Sequence, residues 1–300
     1  MATTIARRTI LIQSMLLFPA GLASALAQSA RGAGSRDVRA GRDRLREVEQ
    51  KSGGRLGVAV LDADRGVTLV HRPDERFPMC STFKFLAVAT VLARVDRRDD
   101  SLDRRISFSK DDLLEYAPIT TARVQEGAMT LGELCEAAIT VCDNTAANLI
   151  LATIGGPSGL TAYARSIGDN VTRLDRTEPT LNEATPGDVR DTTTPAAMAN
   201  NLKQLLLGKA LSPALRDTLS AWLVATKTGG ARVRAGIPAG WRVGDKTGSG
   251  NHGTTNDIAI LWPNGRAPIL IAAYLTETDT ASAVRDGAIA DVARIVSATI

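Results

Sequence analysis

The pairing Ser81-Thr82-Phe83-Lys84 places a hydroxyl and an amine three residues apart. If Ser81 opens a helix, Lys84 lies one turn on and on the same face. A serine hydroxyl becomes an effective nucleophile when a neighbouring base takes its proton. A lysine amine can be that base if burial or nearby positive charge lowers its pKa. The helix N-terminus also favours negative charge developing on the serine side. The spacing alone is common. Ser107 and Lys110 repeat it, but among Asp103, Arg104, Arg105, Asp111 and Asp112, with no apolar helix after them. There Ser107 reads as a turn or cap residue.

Three further elements follow in order. Cys142-Asp143-Asn144 opens a segment running to Asn148. Asp143 has the character of a helix N-cap, and Asn144 can hold an amide out to a substrate. Inside a long Thr/Asp/Glu/Pro-rich stretch, Glu178 precedes Pro179 and Asn182 lies four residues on. A carboxylate paired with an amide can hold and deprotonate a water, although Glu178 taken alone reads as a surface acid. Lys-Thr-Gly occurs twice. Lys227-Thr228-Gly229 ends a helical segment and reads as a C-cap, whereas Lys246-Thr247-Gly248 lies in a strand context, Trp241 to Gly250. A strand can present the lysine charge, the threonine hydroxyl and backbone N–H groups to a carboxylate and a carbonyl. Glycine lets a substrate approach the backbone, so the second copy is the candidate. Gly168-Asp169-Asn170 reads as an ordinary turn.

The elements that must position these residues fall into three blocks. Residues 38–52 have a helical stripe through Val38, Leu45 and Val48, and residues 55–62 and 67–72 read as a hairpin across Asp62–Gly66. Helical periodicity marks 82–95, 130–139, 144–154, 158–166, 195–207 and 212–225. Strands return at 241–249, 255–263 and 267–276, and a helix closes the chain at 281–298. Strands at both ends with helices between predict one sheet built from both termini, with a helical insertion. The stretch from Asp169 to Thr194 has little periodicity, and a loop that long inside a compact domain is usually functional or disordered.

Composition narrows the function classes. Arg7-Arg8, an apolar run from Ile10 to Leu26 and the small-x-small triplet Ala25-Leu26-Ala27 have the layout of an export signal, twin-arginine or Sec-type, over residues 1–27. Gln13, Pro19 and Ser24 interrupt the run, which argues against a permanent membrane span. Removing residues 1–27 takes away two arginines and no acid, so the formal charge falls from +4 to +2. No basic block is interleaved with aromatics, so nucleic acid is not an expected partner. Two histidines, His71 and His252, far from any second ligand in sequence, do not suggest catalytic zinc. Three cysteines exclude a dense disulfide scaffold. On one continuous helix Cys135 and Cys142 would lie about 10 Å apart along the axis, too far to bridge.

Taken together and in this order, the motifs resemble those of the class A serine β-lactamases, which share S-x-x-K, S-D-N and K-T-G elements with penicillin-binding proteins. The likeness extends to Phe77-Pro78-Met79-Cys80 before Ser81, to Asn182–Asp188 and to Asp191-Thr192-Thr193-Thr194-Pro195. The resemblance implies an α/β plus all-α fold: a five-stranded antiparallel sheet flanked by N- and C-terminal helices, joined to an inserted helical domain, with the site in the cleft. After the signal (1–27) and a flexible leader (28–37), residues 38–73 and 225–300 would form the sheet domain. Residues 74–224 would form the helical one.

The implied function is β-lactam hydrolysis, and hence antibiotic resistance, by a periplasmic or secreted monomer that needs no metal or organic cofactor and keeps no stable membrane association. The resemblance makes Ser81 the acylated nucleophile and Lys84 its proton partner. Glu178, with Asn182, becomes the holder of the deacylating water. Backbone N–H groups of Ser81 and Ser249 would form the oxyanion hole. Lys246, Thr247 and Ser249, with Gly248 between them and Arg232 in support, would bind the substrate carboxylate. Asn144 would contact the amide side chain, Tyr116 would wall the entrance, and Arg176 with Asp191 would pin the loop carrying Glu178. Gly250 and Ser249 are expected to leave the strand side open. One departure stands out: the family has serine where this chain has Cys142, so the proton passed to the lactam nitrogen would come from a thiol. A slow penicillin-binding protein, D,D-peptidase or sensor that remains acylated would share the nucleophile and K-T-G, but would have no use for a water-activating Glu178.

Overall fold

The computed structural model describes residues 1–2 and 21–300. Arg7-Arg8 and residues 10–20 of the apolar run lie outside the described residues. By its contacts the chain divides into two units, Met1–Asp37 and Val38–Ile300. Helix α1 spans Gly21–Ser52 and therefore takes in residues 28–37, where the small and basic composition predicts a leader. Alanine and arginine both favour helix, which accounts for the continuation. Among the described residues no helix is long and apolar enough to cross a membrane.

From Val38 onward, α1 is followed by the hairpin β1 (Arg55–Asp62) and β2 (Gly66–His71), then by β3 (Phe77–Pro78) and α2 (Phe83–Asp96). Next come β4 (Arg105–Ser107), α3 (Pro118–Ala122), β5 (Ala128–Thr130), α4 (Leu131–Thr140), α5 (Asn144–Thr153) and α6 (Gly156–Ser166). After the long loop stand β6 (Thr192–Thr193), α7 (Pro195–Leu206), α8 (Pro213–Val224) and the short α9 (Val233–Gly236). The chain ends with β7 (Arg242–Ser249), β8 (Thr255–Trp262), β9 (Ile269–Thr276) and α10 (Ser282–Thr299).

Five strands form one sheet in the order β2-β1-β9-β8-β7, every neighbour antiparallel. The N-terminal hairpin thus joins the C-terminal meander through β1 and β9, as strands at both ends of the sequence require. The side-chain period of two sorts each strand between two apolar clusters. Leu56, Val58 and Val60 of β1 and Ile269, Ile271 and Ala273 of β9 pack with Leu45, Val48 and the α10 residues Ile289, Val292 and Val296. The alternate positions, Ala59, Leu61, Leu270, Ala272 and Tyr274, face the cluster built from α2, α4, α5 and α7. A sheet covered on both faces buries nearly every residue, which is why these strands read as continuous apolar runs. Helix α2 is buried at every position from Phe83 to Ala93. A helix apolar on all sides belongs at the centre of a bundle, and it carries Lys84 into that centre.

The structure corrects two readings of local sequence. Ser107 lies in strand β4; the cap of the following turn is Ser109, whose side chain accepts from Asp111 N in a capping box with Asp112. Cys135 and Cys142 do not share a helix, because α4 ends at Thr140 and Cys142 sits beyond it with φ +62°. All three cysteines are free. The two-stranded pairings β3–β6 and β4–β5 were not legible in the sequence, since two or three residues carry no periodicity.

Candidate active site

Ser81 sits in a 3-10 turn, Cys80–Thr82, that leads directly into α2. Lys84 follows in the first helical turn. Cys80, just before the serine, has φ +45°, a costly conformation for a non-glycine residue and one that tends to accompany functional sites. Strand β8 secures this turn: Asn256 Nδ2 donates to Pro78 O at 2.9 Å and to Met79 O at 3.1 Å. Strand β7 passes so close that a Cβ at Gly248 would lie 2.8 Å from Met79 O and 3.2 Å from Ser81 N. Glycine at Gly248 is therefore required by the close approach of Lys-Thr-Gly to the nucleophile turn. At Gly250 a Cβ would meet Cys80 Sγ at 2.6 Å and Asn182 O at 2.7 Å. That position faces protein, so the expectation that Gly250 opens the strand side does not hold.

Helix α5 and the long loop bring the remaining groups in. Asp143 is the N-cap of α5, accepting from Ala146 N at 2.8 Å, and its other oxygen accepts from the backbone of Ile119 and Thr120. This holds Cys142 and Asn144 on either side of the cap. Asn148, one turn after Asn144 on the same face, pairs with the loop: Glu178 N donates to its Oδ1 at 3.0 Å, and its Nδ2 donates to Glu178 O at 2.9 Å. Sequence reasoning assigned Asn148 no role, although the i, i+4 spacing from Asn144 was the available signal. At the base of the loop, Arg176 Nε donates to Asp191 Oδ2 at 2.5 Å, while Asp191 Oδ1 accepts from the backbone of Asp175 and Arg176. Asp191 is 1% exposed.

The convergence of these elements surrounds Glu178. Its carboxylate accepts from Ser81 Oγ at 3.1 Å and from Asn182 Nδ2 at 2.5 Å, and it pairs with Lys84 Nζ at 3.1 Å. Glu178 is 3% exposed, so the surface-acid reading fails. Lys84 Nζ also donates to Cys142 O at 2.9 Å, to Asn144 Oδ1 at 2.5 Å and to Cys142 Sγ at 3.5 Å. Lys246 Nζ reaches the same sulfur at 3.1 Å. Both lysines are fully buried. Burial of charge on this scale costs several kcal/mol per ion unless it is paired, and such concentration marks a functional site.

The electrostatics distinguish the two lysines. Burial pushes Lys84 down, but the Cys142 sulfur and the Glu178 carboxylate outweigh it and raise its pKa. The condition under which Lys84 would serve as a base, a lowered pKa, is not met in this arrangement. Lys246 is lowered by burial and by the charge of Lys84, against the pull of Cys142. Burial pushes the Cys142 thiol up, yet Lys246, Lys84 and a hydrogen bond from Ser81 bring it down to about 6.

The strand side carries the other expected residues. Arg232 Nη2 donates to Ser249 Oγ at 2.7 Å, and Nη1 donates to Gly248 O at 2.9 Å and Asn256 O at 2.8 Å. The first Lys-Thr-Gly copy, set aside as a cap, in fact meets the second: the Thr228 and Thr247 hydroxyls lie 2.7 Å apart. Thr226 Oγ1 donates to Asp245 O at 2.8 Å. Tyr116 is exposed, and its carbonyl accepts from Asn144 N at 3.0 Å, placing it beside the cleft. Among the described residues no group of three or more His, Cys, Asp or Glu could hold a metal.

A serine hydroxyl, a buried carboxylate touching it and a strand edge carrying a buried lysine are an arrangement able to support serine acyl transfer. The family model of the β-lactamase enzyme family matches residues 41–300. The chain is 50% identical over 254 residues to the β-lactamase CTX-M-8 of Citrobacter amalonaticus, covering 85% of this chain and 87% of the relative. It is 50% identical over 253 residues to the β-lactamase AST-1 of Nocardia asteroides, covering 84% and 81%. The solved structure of an ancestral class A β-lactamase superposes with a TM-score of 0.84 at 63% identity, covering 85% of this chain and 98% of that one. The chain belongs to the β-lactamase enzyme family and, within it, to the class A serine enzymes.

Proposed function

We propose that the protein hydrolyses the amide bond of β-lactams through an acyl-enzyme on Ser81. The observation that supports this most is the buried Glu178 carboxylate, in contact with the Ser81 hydroxyl, Lys84 and Asn182 at once. Ser81 Oγ attacks the lactam carbonyl as its proton passes to Glu178, which it already faces at 3.1 Å. Lys84, held as an ammonium, stabilises the charge that develops rather than taking the proton. The N–H groups of Ser81 and Ser249 receive the oxyanion; a single donor of this kind is worth roughly 10²–10³ in rate. The ring C–N bond then breaks, the nitrogen takes a proton from Cys142, and the proton on Glu178 passes by way of Lys84 Nζ, which contacts both groups, to the Cys142 sulfur, leaving Glu178 a free carboxylate.

Deacylation reverses the logic. Glu178 and Asn182 hold a water and Glu178 takes its proton; the hydroxide attacks the ester carbonyl, the bond to Ser81 Oγ breaks, and Glu178 gives the proton to Ser81 Oγ as it leaves. Lys246, Thr247 and Ser249 hold the substrate carboxylate, with Arg232 fixing the Ser249 hydroxyl, and Asn144 and Tyr116 line the side-chain end. The export layout of residues 1–27 supports action outside the cytoplasm, free of the membrane once the signal is removed; a monomer is the state the family resemblance implies.

Mass spectrometry of the purified protein mixed with a chromogenic cephalosporin, alongside ring-opening absorbance, tests the reading. Multiple turnovers with a transient adduct on Ser81 are expected. A stoichiometric adduct that persists without turnover would replace it with a protein that stays acylated.

A further inference from the structure

Cys142 occupies the one place in the cleft where two buried ammonium groups converge on a sulfur. Lys246 Nζ lies 3.1 Å and Lys84 Nζ 3.5 Å from Sγ, and both lysines are inaccessible to solvent, whereas Cys142 itself is partly exposed. The two lysines come from different elements, β7 and α2, so the pairing is a product of the fold. The other charged groups around them are the Glu178 carboxylate from the loop, Asp143 at the α5 cap and Asp245 on β7. Cys80 and Cys135 provide the contrast within the same chain: both are fully buried, and burial pushes their thiols up, outweighing the charge of Arg232 at Cys80.

We propose that Cys142 is a covalent modification site, a thiolate that hydroperoxides oxidise selectively to a sulfenic acid, switching the cleft off until a thiol restores it. The Cys142 sulfur attacks one peroxide oxygen; an S–O bond forms, the O–O bond breaks, and the second oxygen leaves as hydroxide or alkoxide and takes a proton from solvent. Sulfur is oxidised by two electrons and the peroxide is reduced by two. Reversal uses two thiols: the first forms a mixed disulfide and releases water, and the second releases Cys142 and leaves as the reductant's disulfide.

Three features support this. The thiolate is the reactive form, and flanking ammonium groups stabilise it. The depression to about 6 makes it the main species at neutral pH. Lower basicity weakens each thiolate as a nucleophile, so against an ordinary thiol the net gain is about twofold at pH 7 and roughly tenfold at pH 6. Oxidation also replaces the thiol that ring opening uses as its proton donor, and adds an oxygen to the sulfur that Lys84 and Lys246 contact.

The test treats the intact protein with hydrogen peroxide at pH 6 beside glutathione as a reference thiol, traps sulfenic acid with a cyclic 1,3-diketone, and maps the label by peptide mass spectrometry. Label on Cys142 and not on Cys80 or Cys135, at a rate above that of glutathione, is expected. Loss of ring-opening activity should follow the label, and dithiothreitol should restore it in samples left untrapped. Cys142→Ser should keep its own activity through the same peroxide dose. An unlabelled Cys142 when glutathione is fully oxidised, or Cys80 labelling first, overturns the proposal. The activity readout rests on the proposed hydrolysis, but the label map does not, so failure of one is separable from failure of the other.

Discussion

The side chain of Asn148 grips the backbone of Glu178 from both sides, accepting from its N–H at 3.0 Å and donating to its carbonyl at 2.9 Å. A residue on α5 therefore sets where the loop carboxylate stands, without touching the carboxylate itself. Asn148→Ala removes both bonds. Misplacement by about 1 Å can cost 10²-fold in rate, and because Glu178 serves both half-reactions, kcat/KM and kcat should both fall in steady-state kinetics. Asn148→Asp, which keeps only the acceptor half, should sit between the two. An Asn148→Ala enzyme with wild-type kcat and kcat/KM would remove Asn148 from the positioning of Glu178.

Removing the carboxylate itself takes the base from both halves of the reaction. Glu178→Gln keeps the shape and the contact with Asn182 but takes no proton. General bases of this kind contribute about 10²–10⁴ in rate, so both the acylation rate and steady-state turnover should fall, read by stopped-flow and mass spectrometry; a wild-type burst followed by a stalled adduct would mean that another group takes the Ser81 proton. Unchanged steady-state turnover would mean that another group activates the water.

Cys142 predicts a pH profile unlike that of a serine enzyme. With the thiol pKa brought down to about 6, the protonated form that can give a proton to the lactam nitrogen is present below that pH and declines above it. The acylation step, read as kcat/KM, should therefore fall as pH rises through about 6. Cys142→Ser, whose hydroxyl does not ionise in this range, should lack that limb and be the faster enzyme at pH 7–8. A variant that is no faster there would count against a limiting role for the thiol.

The Arg176–Asp191 pair closes the base of the loop, with Asp191 buried and also holding two backbone N–H groups. Breaking a buried pair by removing one partner typically costs about 3–5 kcal/mol. For Asp191→Ala that corresponds to a fall in Tm of roughly 6–20 °C. Deacylation should weaken as well, since Glu178 rides on the same loop. A Tm shift within a degree of wild type would show that the pair adds nothing net.

Asp257 gives a stability prediction of the opposite sense. Burial raises its pKa well above the usual range, and the charge of nearby Asp245 raises it further. One of its oxygens accepts from Val233 N at 3.1 Å, and the other has no partner. An acid whose folded pKa is raised favours the folded state fully only below its unfolded pKa, and that contribution is lost as pH rises toward the folded value. Asp257→Asn, which can still accept from Val233, has no such loss. Its Tm relative to wild type should improve steadily from pH 4 to pH 8; a difference constant across that range would refute the assignment.

The sequence by itself determined much of this protein. The apolar periodicities of 55–62, 82–95 and 281–298 correspond to β1, α2 and α10 within a residue or so, because long patterned segments declare the face they must bury. The order of Ser81, Asn144, Glu178 and Lys246 pointed to the chemistry through its resemblance to the class A β-lactamases, because each of those motifs is local in the sequence. Only the tertiary structure decided what depends on separate elements meeting. Asn148 is an ordinary helix residue until the loop is laid on it, and Thr228 is a residue past the end of α8 until its hydroxyl meets Thr247. Glu178 reads as a surface acid until burial leaves it 3% exposed. Cys142 is a thiol in the family's serine position until β7 and α2 bring two ammonium groups to its sulfur. Charge, burial and proton affinity are properties of a surrounding, and a linear sequence does not contain its surroundings: 104 residues separate Cys142 from Lys246 along the chain, and 3.1 Å separate them in the fold.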